Sequence, residues 1–250
     1  MEKNEAFRYL EQVSEWTDAV YWHLQGEPLL HPDFCEITNY ARELGLILKL
    51  TTNASQLEKF GEYLRSGKFF QINFSLQSLN EVPEQERKRV RETIADFSGK
   101  ALEQCPELYL NFRWWQDSPP DLEFFAERFG VPAEEWFPVK GRKNRRIKGR
   151  LFSHFDGMFE WPELGSPERV GGGSGSCYGL IDHCGILCDG RVVPCCLDSH
   201  GGLVLGDLHE QSLSEILQSE KARKIEEGFR RNCRIMAQCR NCGYAARFDR

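Results

Sequence analysis

The chain has 250 residues and a formal net charge of −6. That is enough for one large or two modest domains, and too acidic for whole-protein attraction to nucleic acid or to an anionic membrane surface. No apolar run approaches the ~18 residues of a membrane span, and Met1 to Arg8 hold no apolar signal core, so a cytoplasmic location is expected.

The elements follow in chain order. Residues 4 to 15 fit an amphipathic helix, with Phe7, Leu10 and Val13 three apart. Asp18 to Leu24 reads as a strand that ends at Gln25-Gly26-Glu27-Pro28. Residues 33 to 44 suit a helix with Asp33 as cap and Gly45 as stop. Leu46 to Thr52 is a buried strand, 55 to 65 a helix and Phe69 to Leu76 a strand. A long charged helix covers about 82 to 103, followed by a strand over Glu107 to Trp114 and a helix over 120 to 129. Strands alternating with helices imply parallel βαβ units. Lys140 to Arg150 carries seven basic residues in eleven. It reads as a solvated basic loop, the alternative being a phosphate or acidic-peptide contact. Gly171 to Ser176 reads as a flexible joint. Beyond it, Asp189-Gly190 between two apolar runs signals a hairpin, and a helix is expected over about 212 to 227.

Ten cysteines are many for a reducing compartment, where clustered cysteines favour metal binding over disulfides. Eight of them follow residue 176: Cys177, Cys184, Cys188, Cys195, Cys196, Cys233, Cys239 and Cys242. Cys239-Arg240-Asn241-Cys242-Gly243 is a C-x-x-C turn whose two thiolates can face one metal. The hairpin would carry Cys195 at the end of its second strand, with Cys177 ahead of the first. Cys177, Cys195, Cys239 and Cys242 then form a closed four-thiolate site, which suits structural zinc or an iron–sulfur cluster equally well by spacing. Cys196 adjoins Cys195 and would point to the opposite face of a strand. Cys184, Cys188 and Cys233 could supply a second cluster or an exchangeable ligand, although simple packing is the favoured reading. Cys35 and Cys105 read as packing residues.

At this point the residues match a family. Cys177-Tyr178-Gly179-Leu180, Asp189 to Asp198, Leu205-Gly206-Asp207-Leu208 and Cys239 to Tyr244 together resemble the SPASM or "twitch" auxiliary-cluster domain of radical SAM proteins. The C-x12-G-x4-C element starting at Cys177 is its most specific part. The resemblance implies an auxiliary [4Fe–4S] cluster rather than zinc. The front half resembles a radical SAM barrel. Gly26-Glu27-Pro28 is similar to the family's GEP turn, which contacts the amino group of S-adenosylmethionine. Asn53 ends the strand after it, Ser75 looks like a ribose-side residue, and Arg113 sits where a residue approaches the carboxylate of that cofactor. Ordinary roles stand beside these: Asn53 as a helix cap, Ser75 as strand polarity, Arg113 as a surface residue stacked on an aromatic ring. His23, His31, His183, His200 and Tyr178 could touch substrate, although ordinary surface or packing roles are favoured.

The sequence departs from the family in one respect. The C-x3-C-x2-C motif that holds the radical-generating cluster belongs ahead of the GEP turn, and residues 1 to 25 contain no cysteine. An N-terminally shortened radical SAM/SPASM protein is therefore expected, with its SAM cleavage impaired. The expected architecture is an incomplete parallel (β/α)6-type barrel over 1–168, whose first helix is 4–15. A Gly/Ser linker at 169–176 and a small SPASM/twitch iron–sulfur domain at 177–250 complete it, with Trp161-Pro162 covering the barrel end. The implied partners are a peptide, protein or small-molecule substrate and an electron donor such as a flavodoxin or ferredoxin. A non-catalytic [4Fe–4S]- or zinc-binding partner module is the alternative.

Overall fold

A computed structural model describes residues 1–115, 119, 121–157, 159 and 173–248. The chain divides into two units, Thr17–Met158 on one side and Met1–Trp16 with Phe159–Arg250 on the other. Helix α1 (Lys3–Ser14) thus groups with the C-terminal segment, which corrects its expected place as the first helix of the barrel. The expected boundary at 168, the linker residues 169–172 and Trp161-Pro162 lie outside the described residues.

The unit Thr17–Met158 alternates as the sequence predicts. It runs β1 (Ala19–Trp22), α2 (Phe34–Glu43), β2 (Ile47–Thr52), α3 (Leu57–Leu64) and β3 (Phe69–Ser75), then α4 (Glu84–Gln104), β4 (Tyr109–Trp114), α5 (Leu122–Phe129), β5 (Asn144–Lys148) and β6 (Leu151–Phe155). The sheet order is β1-β2-β3-β4-β6-β5. Every pair is parallel except β5 with β6. The basic segment expected as a loop is therefore an edge strand. Its charged side chains hid the strand from a hydrophobicity pattern, and charge is how natural sheets keep an edge from pairing with another chain.

Successive strand residues face opposite sides, and the burial alternates accordingly. Leu48, Leu50, Ile72, Phe74, Leu110, Phe112, Trp114 and Leu151 are buried. They meet the helices through ring contacts such as Phe74 with Phe97 at 5.8 Å and Phe112 with Phe125 at 4.8 Å. The other face is polar. Asn73 Nδ2 donates to Thr51 Oγ1 at 3.2 Å, and Asn111 Nδ2 and Gln71 Nε2 donate to Asn73 Oδ1 at 2.9 and 2.8 Å. This side-chain ladder ties β2, β3 and β4 across the sheet.

The C-terminal segment contains a small antiparallel sheet, β7 (Gly185–Ile186), β8 (Arg191–Val193) and β9 (Gly206–Asp207). The hairpin expected at Asp189-Gly190 joins β7 to β8. The single helix expected over 212–227 is two helices, α6 (Leu213–Leu217) and α7 (Glu220–Arg230), with α8 (Ala237–Asn241) after them. Ser219 makes the break, because its hydroxyl caps α7 by accepting from Ala222 N at 3.2 Å. The described part of the expected joint is pinned: Gly175 N donates to Asn232 O at 2.9 Å and Ser176 Oγ to Phe229 O at 3.0 Å.

Helix α1 closes the core of this segment. Tyr9 is buried with Val192, Leu205, Leu208, Ile216, Ile225 and Phe229, and Gln12 Oε1 accepts from Leu213 N at 2.7 Å. Gly190, at φ +84°, leaves room for α1: a Cβ there would lie 2.6 Å from Tyr9 Oη. The imidazole of His209 is held between two carboxylates, with Nε2 2.9 Å from Glu5 and Nδ1 2.9 Å from Asp207. Nε2 is also 3.1 Å from Tyr9 Oη. The hydrogen bonds to Glu5 and then Asp207 raise the pKa of His209, whereas the Glu2 amide and then His209 lower that of Glu5. A raised histidine pKa stabilises below the ordinary value and loses that contribution as pH rises through the raised one. A lowered carboxylate pKa stabilises above its ordinary value and loses that contribution as pH falls through the lowered one. The clamp is thus complete between the ordinary values of 4.5 and 6.5. Amide-exchange protection of residues 3–14 is expected to be highest there and to fall on the alkaline side, and His209→Gln should abolish that fall.

Candidate functional site

The cysteine site is built from three chain segments of the C-terminal unit. The turn from Cys177 to Leu180 lies on the end of β8: Leu180 N donates to Pro194 O at 3.1 Å, and a Cβ on Gly179 would be 3.4 Å from Cys195 Cβ. Cys239 is in α8 and Cys242 caps its end. The four thiols act on one another. Burial, then its cysteine neighbours including Cys177 and Cys239, pushes Cys195 far above the usual thiol range. Burial, then Cys177 and Cys242, raises Cys239 to about 12. Burial raises Cys242 as well, opposed by backbone N–H groups of Ala245 and Tyr244 aimed at its sulfur. Cys177 and Cys239 also pack against the core formed around Tyr9 and Phe229.

The four cysteines that the sequence groups thus lie on the Cys177 turn, at the end of β8 and on α8, all in one unit. Soft thiolate donors in an apolar seat fit an iron–sulfur cluster, whose anionic ligands are spread over several irons. Among the described residues, no three or more His, Cys, Asp or Glu side chains stand close enough together to hold a metal ion. Cys177, Cys195 and Cys239 are half-buried and Cys242 is buried. Burial alone raises the Cys184 thiol, Cys188 and Cys233 are exposed, and Cys196 is half-buried. Cys35 and Cys105 are half-buried in the other unit, where Cys105 Sγ donates to Arg65 O at 2.9 Å.

Two buried charged residues beside this site carry no ligand spacing and were not singled out from sequence. Asp198 is 3% exposed. Its Oδ1 accepts from Gly202 N at 2.7 Å and Gln238 Nε2 at 2.9 Å, and its Oδ2 from Leu203 N at 2.7 Å. It thereby locks the turn after Cys195 to the residue before Cys239. Arg234 is 1% exposed. Its guanidinium donates to Ser176 O at 3.2 Å and Ala245 O at 2.6 Å. An isolated charged residue reads as surface in a sequence, and only the tertiary structure buries these two.

In the unit Thr17–Met158 the expected cofactor residues lie at the carboxyl ends of the strands, where open α/β sheets place ligands. Gly26 adopts φ +83°, and Pro28 opens a short 3-10 turn, Pro28–Leu30. Glu27 links two strand ends: Oε1 accepts from Leu29 N at 3.1 Å and Thr52 Oγ1 at 2.8 Å, and Oε2 accepts from Asn53 N at 2.7 Å. Asn53 Oδ1 accepts from Ser55 N at 2.9 Å, and α3 begins only after Gln56, so Asn53 shapes the turn rather than capping the helix. Ser75 ends β3 in register with Arg113 of β4, which is in register with His154 of β6. Of the other candidates, His23 stacks edge-on to Tyr21 and His31 Nδ1 accepts from Asp33 N. Tyr178 is exposed with its ring against Phe248, and His183 and His200 are exposed.

Residues 177–243 match the SPASM family, described as an iron-sulfur cluster-binding domain. No curated protein matches the chain. Several solved structures share its fold. BtrN in complex with AdoMet and 2-DOIA is 14% identical, with 97% of this chain and 80% of that chain covered and a TM-score of 0.57. SuiB of Streptococcus suis bound to S-adenosylmethionine is 15% identical, with coverage of 90% and 61% and a TM-score of 0.58. The anSMEcpe protein with bound AdoMet is 14% identical, with coverage of 100% and 78% and a TM-score of 0.54. Among the described residues no helix is long and apolar enough to cross a membrane. The chain thus carries a segment similar to the SPASM domain and shares the fold of BtrN, SuiB and anSMEcpe.

Proposed function

We propose that this chain is a radical SAM/SPASM-type iron–sulfur protein of the cytoplasm. In this reading Cys177, Cys195, Cys239 and Cys242 hold an auxiliary [4Fe–4S] cluster, and the strand ends at Gly26-Glu27-Pro28, Asn53, Ser75 and Arg113 receive S-adenosylmethionine. The observation that carries it is the placement of Cys177, Cys195, Cys239 and Cys242, all inside the segment matched as SPASM, on the turn against the end of β8 and on α8. When bound, the cluster supplies one-electron redox chemistry, received from a donor such as a flavodoxin or ferredoxin. The chain's residues perform the rest. Glu27 and Asn53 set the turn, its remaining carboxylate lone pair can take an ammonium hydrogen, and Arg113 offers a planar fork to a carboxylate.

Family chemistry is the reductive cleavage of S-adenosylmethionine to a 5′-deoxyadenosyl radical that abstracts hydrogen from a substrate. A non-catalytic cluster-binding or electron-transfer module is the second reading; no C-x3-C-x2-C run occurs in the 250 residues. Iron and acid-labile sulfide are the deciding measurement after anaerobic reconstitution. About four of each per chain supports one auxiliary cluster, with SAM cleavage impaired in this chain by itself. About eight supports a second auxiliary cluster on the remaining cysteines Cys184, Cys188, Cys196 and Cys233. Zinc without sulfide would overturn the cluster reading.

A further inference from the structure

The reading above leaves one strongly placed group unused. Arg234 is among the largest fully buried side chains, at 1% exposure. A guanidinium remains charged in proteins, and burying it is costly unless hydrogen bonds and an opposite charge compensate. Its guanidinium donates to Ser176 O through Nε at 3.3 Å and Nη2 at 3.2 Å, and to Ala245 O through Nη2 at 2.6 Å. Ser176 immediately precedes Cys177, and Ala245 is the third residue after Cys242. The backbone is fixed too: Arg234 N donates to Gly173 O at 2.9 Å, and Arg234 O accepts from Arg240 Nε at 2.9 Å. One side chain thus joins the segment entering the first ligand to the segment leaving the last, and it places a positive charge beside them.

We propose that Arg234 is the positioning and charge-compensating residue of the cysteine site, holding the Cys177 and Cys242 segments together and making a bound cluster easier to reduce. The proposal rests on the cluster reading above. A cluster on four thiolates is a buried anion, and one-electron reduction by a low-potential donor makes it more negative with no bond formed or broken in the protein. A fixed cation nearby stabilises the reduced form more than the oxidised one. Asp198, the buried charge of opposite sign, has both oxygens engaged by three donors.

The test uses the full chain, reconstituted anaerobically, as wild type, Arg234→Met and Arg234→Lys. Iron and sulfide are counted, and the cluster is titrated with dithionite and redox mediators while its reduced-state electron paramagnetic resonance signal is followed. Arg234→Met should lower the reduced-to-oxidised ratio at a fixed potential about tenfold, which for a one-electron couple is about 59 mV. Arg234→Lys should keep the ratio within about threefold of wild type but release iron faster to a chelator, because it keeps the charge and loses the fork. A loaded Arg234→Met with wild-type titration behaviour would overturn the proposal. If Arg234→Met does not fold or load, Arg234→Lys decides: loading with a near-wild-type ratio supports the role of the charge, and failure to load or a ratio shifted as far as tenfold refutes it. Absence of iron and sulfide from the wild-type chain would instead overturn the cluster reading, and this inference with it.

Discussion

Cys239→Ser is expected to cut iron and sulfide after reconstitution from about four of each to below about one per chain. Serine keeps the size of the side chain but replaces a soft, ionisable sulfur with a hydroxyl that does not deprotonate near neutral pH, so the closed ligand set loses a member. Two comparisons make the result specific. Cys188→Ser and Cys233→Ser alter exposed thiols and should leave the metal content unchanged. The metal-free protein should feel Cys239→Ser only slightly, because burial already holds that thiol protonated there. The thermal stability gained on reconstitution, in contrast, should vanish, since a ligand that binds only the folded chain stabilises it by mass action. Wild-type iron content in Cys239→Ser would remove Cys239 from the ligand set.

The second large effect is expected at Glu27. Glu27→Ala strips the acceptor from three donors at once, Leu29 N, Thr52 Oγ1 and Asn53 N. Bonds to a charged acceptor contribute roughly 1.5–3 kcal/mol each where well buried. Glu27 is half-buried, water can replace part of that, and the expected loss is about 2–3 kcal/mol in total. Denaturant unfolding followed through the sheet unit would measure it. S-adenosylmethionine affinity, by equilibrium dialysis, should fall at least about tenfold (about 1.4 kcal/mol), because the strand ends that would receive it are no longer tied together. Glu27→Gln separates the two roles. Its amide oxygen can still accept from the turn but carries no charge for an ammonium group, so a larger loss of affinity than of stability would show direct contact with the cofactor. Full affinity in Glu27→Ala would exclude Glu27 from the site.

Much of the parallel sheet was legible because burial alternates along its strands. Leu48, Leu50 and Thr52 point one way while Lys49 and Thr51 point the other, and Leu110, Phe112 and Trp114 repeat the pattern. The candidate cysteine set is proposed on a different ground. Thiolate chemistry restricts which side chains can serve, and the Asp189-Gly190 turn fixes where Cys195 emerges. The polar ladder of Thr51, Asn73 and Asn111 follows the same alternation. Whether such residues bond to each other depends on register, which a single strand does not contain.

The sequence by itself determined the order of strands and helices up to α5 and the hairpin at Asp189-Gly190, because each depends on local periodicity or turn geometry. Tertiary structure decided which surface received α1, since an amphipathic helix shows that one face will be buried and not against what; Tyr9 found Val192 and Phe229 rather than the sheet. It also made the basic run Asn144–Lys148 an edge strand, through a partner in β6. It buried Arg234 and Asp198 beside the cysteines as well. Burial of a charge depends on the hydrogen bonds and opposite charges that distant segments bring to it, and those exist only once the chain has folded.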